Sequence, residues 1–229
     1  MMVAIMQPTY WARAHVWNRI LTSDVYIWLD SVKFSRSATK WEDRTIVEAP
    51  DGRPVVLRLP LKGSTLVLWS EAGVQPTWRR HMVTIRHCYA KRPHWNIVGP
   101  SVEAVYEEDA ETIAEVCWRT FQASRRLLAP DARVVRSSDL DVHSAKGDLV
   151  LDLVKEVGGT SYICGRPGLS YLPLERFRRD GVDVVVQEWK APTARRGLAN
   201  PSILDLLATA GLDATRELLS EVSADANVG

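Results

Sequence analysis

The sequence predicts an α/β fold, in which a mostly parallel sheet is flanked by helices and a β-hairpin is inserted early in the chain. Short apolar runs alternate with amphipathic segments along most of the 229 residues, which is the pattern of repeated strand–helix units. The apolar runs are continuous, as in strands that are buried on both faces of a sheet. The pair Asp51-Gly52 stands between two β-rich runs and predicts the hairpin.

The opening segment, residues 3–10, is predicted to be a buried strand that leads into a loop. Its apolar run stops at Gln7 and Pro8, and proline has no N–H with which to continue a strand ladder. A short helix and a second buried strand, which ends on Asp30, complete a βαβ unit and favour a parallel pair. Gln7 either lines a ligand site at the strand end or only caps a backbone group.

The later elements follow from apolar residues at three- and four-residue steps in helices, from continuous apolar runs in strands, and from glycines at helix ends. No repeat or linker interrupts them, so we predict a single domain over residues 1–229 with a polar C-terminal tail. The predicted elements are a helix at 15–23, a strand at 25–29, a loop at 35–43, hairpin strands at 44–48 and 55–59, a loop at 63–75 with a brief strand at 66–69, a helix at 77–90, a helix at 101–127 that breaks near Asp109, a strand at 133–136, a helix at 148–157, a strand at 160–164, a helix at 174–180, a strand at 182–187, a helix at 202–207 that Gly211 closes, and a helix at 215–222.

Composition and charge exclude several classes of partner. The formal net charge is +1, whereas nucleic acids and anionic membranes select a dense basic surface. No apolar run approaches the roughly 20 residues that span a bilayer, and the N-terminus lacks the features of a secretion signal. The three cysteines form no close pair, so neither a disulfide framework nor a zinc site is predicted, and a reducing cytoplasmic location fits best.

Polar side chains follow several predicted strands at the point where each strand ends. Gln7, Asp30, the run 137–139 and the turn 165–168 all occupy such positions. The carboxyl ends of parallel strands share one edge of a sheet, and ligands bind at that edge in open α/β folds. The Gly165–Gly168 turn either presents backbone N–H groups to a phosphate or carboxylate, or is a plain strand-to-helix connection; it matches neither nucleotide-binding fingerprint.

The candidates for chemistry are few. His81 with Asp30 is the most economical acid–base pair, since a carboxylate orients an imidazole and raises its basicity. His81 also falls on the apolar stripe of its predicted helix, where a histidine is often a core residue. Cys164 ends a strand and is either a nucleophile or a small buried apolar residue. The five histidines show no metal-ligand spacing, so neither a metal nor another cofactor is predicted.

A set of short motifs recurs in order along the chain and resembles the WbqC-like protein family. No single motif is diagnostic, but the ordered set is fairly specific and extends to about Gly211. The motifs are Ala4-Ile5-Met6-Gln7-Pro8, Asp30-Ser31-Val32-Lys33-Phe34, Arg44-Thr45-Ile46, Leu59-Pro60-Leu61, Trp78-Arg79-Arg80-His81, Ser137-Ser138-Asp139-Leu140-Asp141, Tyr162-Ile163-Cys164-Gly165 with Gly168 and Tyr171, and Ser202-Ile203-Leu204-Asp205-Leu206-Leu207.

The resemblance implies a role in making surface polysaccharides or specialised metabolites, because members typically sit in such gene clusters. It also implies site residues by position, and it moves His81 from the core to the site. Those residues are Gln7, Tyr10, Asp30, Arg44, His81, Tyr89, Ser138, Gly165 and Tyr171.

The sequence departs from the family pattern at two places. The run after Gln7-Pro8 lacks the usual aromatic-proline-tyrosine-glycine sequence, and Arg195-Arg196 replaces a tyrosine-x-glutamine motif. Both changes fall where substrate contacts are expected, so the pocket is predicted to be altered and a polysaccharide role is in doubt for this chain.

Two functions follow from these observations. The first is a transferase or a condensing or cyclising enzyme that acts on an amine-bearing or acyl-activated small molecule. In this hypothesis His81 is the general base, Asp30 is its partner, and Arg44 holds an anionic group of the substrate. The second is a non-catalytic accessory protein that shields an intermediate or partners an enzyme. The oligomeric state stays open, as does a carrier-protein partner.

Overall fold

The computed structural model describes residues 1–34, 36, 42–191 and 200–221. Its centre is a five-stranded parallel sheet, as the sequence predicts, and the strand order is β7-β2-β1-β8-β9. The strands of this sheet are β1 (Met2–Met6), β2 (Val25–Trp28), β7 (Arg133–Arg136), β8 (Ser161–Cys164) and β9 (Asp183–Val186).

Helices cover both faces of the sheet, because neighbouring residues of each strand point in opposite directions. Ala4, Tyr26 and Ile163 belong to the larger apolar cluster, which is completed by helices on one face. Val3 and Val25 belong to a second cluster with helices on the other face. The helices are α1 (Ala14–Leu21), α2 (His81–Tyr89), α3 (Trp95–Ala104), α4 (Ile113–Leu128), α5 (Lys146–Glu156), α6 (Leu174–Arg179), α7 (Ile203–Ala210) and α8 (Leu212–Leu219).

The predicted hairpin is confirmed. Strands β3 (Arg44–Glu48) and β4 (Pro54–Arg58) pair antiparallel as a separate two-stranded sheet. Gly52 in the turn has a φ of 83°, a left-handed conformation that glycine adopts without strain. Val47 and Leu57 pack the hairpin onto the larger apolar cluster.

Three predicted elements are wrong in detail. The brief strand at 66–69 is absent; instead β5 (Leu61–Lys62) pairs with β6 (Gly73–Val74), and Leu68 makes one isolated bridge. The helix predicted at 101–127 has its predicted break near Asp109, which is confirmed because α3 ends at Ala104 and α4 begins at Ile113, but α3 begins earlier than predicted, at Trp95. The helix predicted at 215–222 begins earlier, at Leu212, and ends earlier, at Leu219.

The start of α3 was missed because Gly99 and Pro100 follow it within the helix, and both residues weaken a sequence pattern for a helix. Gly99 is needed there, since an added Cβ would lie 2.7 Å from the Trp95 ring. Among the described residues, no helix is long and apolar enough to cross a membrane. Residues 192–199, which include the altered Arg195-Arg196 segment, and the polar tail at 222–229 lie outside the described residues.

Candidate functional site at the carboxyl edge of the sheet

The order of the strands places a crevice at the carboxyl ends of β1 and β8. In chain order the five strands are arranged 3-2-1-4-5, so the direction of winding reverses between β1 and β8. Open α/β sheets bind ligands outside the carboxyl ends of the strands at such a switch point. Gln7 follows β1 at this position and is partly buried. Its side-chain amide makes no hydrogen bond to the described residues, so it is available to a ligand.

Asp30 lies at the neighbouring strand end, one strand away from the switch point, and it is fully engaged. Its carboxylate accepts hydrogen bonds from Arg136 Nε at 2.8 Å, Ser137 Oγ at 3.1 Å, and both the backbone N–H and the hydroxyl of Ser138 at 3.0 Å. Ser137 Oγ in turn accepts from the backbone N–H groups of Asp30 and Ser31. Asp30 therefore joins the ends of β2 and β7.

A cavity of about 330 Å³ opens beside this junction. Asp30 is 7% exposed, whereas Arg136 reaches toward solvent and lies over the Trp118 ring at 5.6 Å. The structure thus brings Asp30 and Ser138 together at a concave surface, as the sequence predicts. The cavity is lined by Asp30, Ser31, Leu68, Ser70, Ala114, Arg136, Ser137, Ser138, Leu140, Val142 and His143.

His81 occupies a different hydrogen-bond network, and among the described residues no hydrogen bond joins it to Asp30. Its Nδ1 lies 2.9 Å from the Tyr10 hydroxyl. The Tyr10 hydroxyl lies 2.6 Å from that of Tyr106, which accepts from Trp11 Nε1 at 2.7 Å. The chain of contacts ties the first residue of α2 to the loop that leaves β1. The predicted His81–Asp30 pair is not formed in this structure.

The charge and the tautomer of the His81 ring depend on its burial and on this network. Burial lowers the pKa of His81 to about 4, so the ring is neutral at pH 7. Two proton arrangements satisfy this network. In one, Tyr106 donates to Tyr10 and Tyr10 donates to Nδ1, so the ring proton sits on Nε2; in the other, Nδ1–H donates to Tyr10 and Tyr10 donates to Tyr106, so Nε2 carries a lone pair. Tyr10 itself is fully buried, so it positions His81 and does not face a ligand directly.

Backbone strain marks the same loop. Trp11 has a φ of 41°, a left-handed conformation that a bulky residue rarely adopts. Three hydrogen bonds hold this conformation. The Trp11 ring N–H donates to the Tyr106 hydroxyl, the Trp11 backbone N–H donates to Thr120 Oγ1, and the Trp11 carbonyl accepts from Thr45 Oγ1. Strained residues persist where the surroundings over-determine them and cluster at functional sites.

Arg44 is buried in an ion-pair cluster of the hairpin. Its Nε lies 3.0 Å from the Asp43 carboxylate. The same carboxylate lies 2.6 Å from Arg36 Nε and 3.8 Å from Arg58 Nε. The guanidinium of Arg44 is thus already engaged with an acidic partner, and its predicted contact with an anionic substrate stays a prediction.

Tyr89 is also buried, in contact with Asp205 of α7. The Tyr89 hydroxyl donates to Asp205 Oδ1 at 2.5 Å, and the backbone N–H of Glu48 donates to the same oxygen at 3.3 Å. Glu48 forms an ion pair with Arg92 at 3.0 Å. These contacts hold α2, β3 and α7 together, so the geometry gives Tyr89 a structural role.

The raised pKa of Asp205 predicts that the free energy of unfolding depends on pH. Burial raises its pKa to about 7, against about 4 for an unfolded aspartate. The folded state therefore binds more protons between these values, and the free energy of unfolding falls as pH rises from about 4 to about 7. The shift corresponds to at most about 4 kcal/mol. We expect Asp205→Asn, measured by denaturant unfolding at pH 5 to 8, to remove this part of the slope; equal slopes in both proteins would contradict it.

Gly165, Cys164 and Tyr171 lie together at the end of β8. Gly168 lies against Cys164, because an added Cβ would be 3.4 Å from its Sγ and 3.6 Å from the Tyr171 hydroxyl. Burial raises the pKa of Cys164, so its thiol stays protonated at neutral pH and is a poor nucleophile. Tyr171 is 58% exposed, so it is accessible to a ligand.

Arg19 and Gln187 also lie at the carboxyl ends of the strands, and the sequence analysis did not include them. Arg19, on α1, donates from Nε to Gln187 Oε1 at 2.7 Å, and Gln187 directly follows β9. The sequence contains one indication that Arg19 is buried. Arg19 stands next to Ile20 on a helix that connects two parallel strands, and such a helix buries one face against the sheet. The structure thus gathers Gln7, Gly165, Tyr171 and Arg19 around the switch point. Asp30 and Ser138 stand one strand away, while Tyr10 with His81, Arg44 and Tyr89 lie in three separate networks.

A family model described as the WbqC-like protein family matches residues 7–217. The match runs from the end of β1 into α8 and includes every residue that the sequence placed in the site. No curated protein matches the chain. Among the described residues, no group of three or more His, Cys, Asp or Glu side chains is arranged to hold a metal ion.

Proposed function

The chain belongs to the WbqC-like protein family, and on that premise we propose that it is a small-molecule enzyme of a polysaccharide or specialised-metabolite pathway. Its reaction is a transfer, condensation or cyclisation that acts on an amine-bearing or acyl-activated substrate. The observation that carries the proposal is the switch point between β1 and β8, where Gln7 follows one strand end and Gly165 and the exposed Tyr171 follow the other.

His81 is the residue that we propose for proton handling. General-base catalysis, the role predicted from the sequence, needs a lone pair on Nε2. The hydrogen bonds fit two proton arrangements, and in the one that we propose Nδ1 accepts from Tyr10 and Nε2 carries the proton. We therefore propose that neutral His81 donates a hydrogen bond to a substrate oxygen that gains negative charge, a form of electrostatic catalysis. General-base catalysis by the same residue is the rival role.

The test of the proposed function is direct. The purified protein is incubated with candidate acceptor amines and with acyl-activated or nucleotide-sugar donors, and products are identified by mass spectrometry. We expect a product that forms only with the protein and is lost in His81→Ala. An unchanged rate in His81→Ala would remove His81 from the mechanism, and no product with any donor would contradict an enzyme of this type.

One observation favours the second candidate, a non-catalytic accessory protein. Asp30, the predicted partner of His81, is instead engaged with Arg136 and Ser138, and the thiol of Cys164 is protonated. A protein without an activated acid–base pair is suited to binding an intermediate. A rise in unfolding temperature with a pathway compound, without product, would support this function over catalysis.

A further inference from the structure

Arg19 is a buried cation at the switch point without an acidic partner. Its side chain lies on α1, beneath the carboxyl ends of β1 and β8, and only 8% of the residue is exposed. Among the described residues, no carboxylate forms an ion pair with it. Buried charges in proteins are normally paired, because removing a charge from water without compensation is costly.

The contacts of Arg19 leave part of its guanidinium free. Nε donates to Gln187 Oε1 at 2.7 Å, and Nη1 lies 2.9 Å from the sulfur of Met6. Nη2 makes no hydrogen bond to the described residues. Gln187 is itself fixed, since its amide nitrogen donates to the His15 carbonyl and to Asn18 Oδ1. The guanidinium is therefore held in one orientation, and the N–H groups of Nη2 can donate to a ligand.

The titratable groups around Arg19 do not neutralise it. Burial raises the pKa values of Cys164 and Tyr171, so both are neutral at pH 7. His15, one turn earlier on α1, is also neutral, because burial and then the charge of Arg19 lower its pKa to about 4. Its Nδ1 accepts from Asn200 at 2.6 Å, which places the ring proton on Nε2 as another donor. Burial also lowers the pKa of Arg19, but an arginine stays charged at pH 7.

Gly165 lets the guanidinium approach the strand end. A Cβ added to Gly165 would lie 2.6 Å from Arg19 Nη2. The φ of Gly165 is −83°, a conformation that other residues adopt, so close approach and not backbone freedom requires glycine here. The glycine that the sequence placed in the site thus makes room for the charge.

We propose that Arg19 binds an oxyanion of the substrate, a carboxylate or a phosphate, in the crevice between the ends of β1 and β8. The bound oxygen atoms accept from Nη2 of Arg19, and Gln7 and Tyr171 follow the same two strand ends. This inference rests on the proposed function and assigns to Arg19 the role that was predicted for Arg44.

A purely structural role for Arg19 makes different predictions. An arginine that stabilises the fold should be paired, and its replacement by an apolar residue should lower stability. An arginine that is kept for a ligand should instead be neutral or unfavourable for the fold when no anion is bound. Arg19→Met keeps an unbranched apolar side chain and removes the guanidinium with its charge, so it separates the two cases.

The experiment is a titration of the wild-type protein with inorganic phosphate and, separately, with acetate, while sodium chloride holds ionic strength constant. We expect one of the two anions to raise the unfolding temperature with saturation, by about 5–10 °C at a hundred times its Kd. Arg19→Met should show no rise and should unfold, without anion, within about 2 °C of wild type or higher. Gly165→Ala, which keeps the charge, should weaken anion binding at least tenfold.

The matched control is Arg133→Met, which removes an exposed arginine at the start of β7, the opposite edge of the sheet, and should respond to anions as wild type does. Saturable binding of equal strength in Arg19→Met would overturn the inference, as would no binding of either anion by wild type. A lower unfolding temperature in Arg19→Met, together with unchanged anion binding in Gly165→Ala, would show that Arg19 stabilises the fold and would contradict the inference. Because binding is measured without turnover, these outcomes are independent of the product assay that tests the proposed function.

Discussion

His81→Ala is expected to lower turnover by about 10²–10³-fold, the usual loss when one donor to a developing oxyanion is removed. The expectation follows from the proposed arrangement, in which Tyr10 donates to Nδ1 and leaves Nε2–H as the donor. His81→Gln provides the discriminating variant, because an amide N–H can replace a hydrogen-bond donor but cannot accept a proton as a base. We expect His81→Gln to retain activity within about tenfold of wild type.

The rival role of His81 predicts other values. A general base would lose about 10²–10⁴-fold in both variants, so equal losses in His81→Ala and His81→Gln would contradict a donor role. With a pKa of about 4, the ring stays neutral from pH 5 upward in either role, so its own ionisation should not appear in kcat/KM in that range, and the two variants decide between the roles. Both variants should keep the wild-type unfolding cooperativity, since His81 is only partly buried.

The parallel sheet could be predicted because its strands are local patterns. Continuous apolar runs that stop at Pro8, Asp30 or Gly165 are visible in the sequence without any knowledge of pairing. The prediction that polar strand ends share one edge follows from parallel geometry alone. The order of the strands, by contrast, depends on contacts between residues that are far apart in sequence, so the sequence did not locate the switch point between β1 and β8.

The partners of the predicted site residues were hidden for the same reason. Asp30 and Arg136 are 106 residues apart, and Tyr10 and His81 are 71 residues apart. Nothing in local spacing distinguishes these pairs from the simpler pairing of His81 with Asp30. Arg19 was missed because an arginine on a short helix is normally exposed, and only the packing of α1 under the strand ends shows that it is buried.

Asp30→Ala is expected to lower the free energy of unfolding by about 3 kcal/mol. The substitution leaves Arg136 without its carboxylate and removes the acceptor of Ser137 Oγ and of the Ser138 backbone N–H. The penalty stays below that of a fully buried pair, because Arg136 is 46% exposed and water can solvate it. Urea or guanidinium denaturation at pH 7 measures the change, and Asp141→Ala, at a side chain that is 92% exposed, is the control, with no measurable change expected.

A second variant, Asp30→Asn, distinguishes a positioning role for Asp30 from the catalytic role that the sequence predicted. If Asp30 orients His81 during turnover, Asp30→Asn should reduce kcat about as much as His81→Ala and shift the pH profile. The hydrogen bonds place its carboxylate on the Ser137–Ser138 turn instead, so we expect Asp30→Asn to destabilise the protein and to change KM more than kcat. A large loss of kcat with unchanged stability would contradict this expectation and would support the predicted His81–Asp30 pair. It would also require Asp30 and His81 to come into contact when substrate binds.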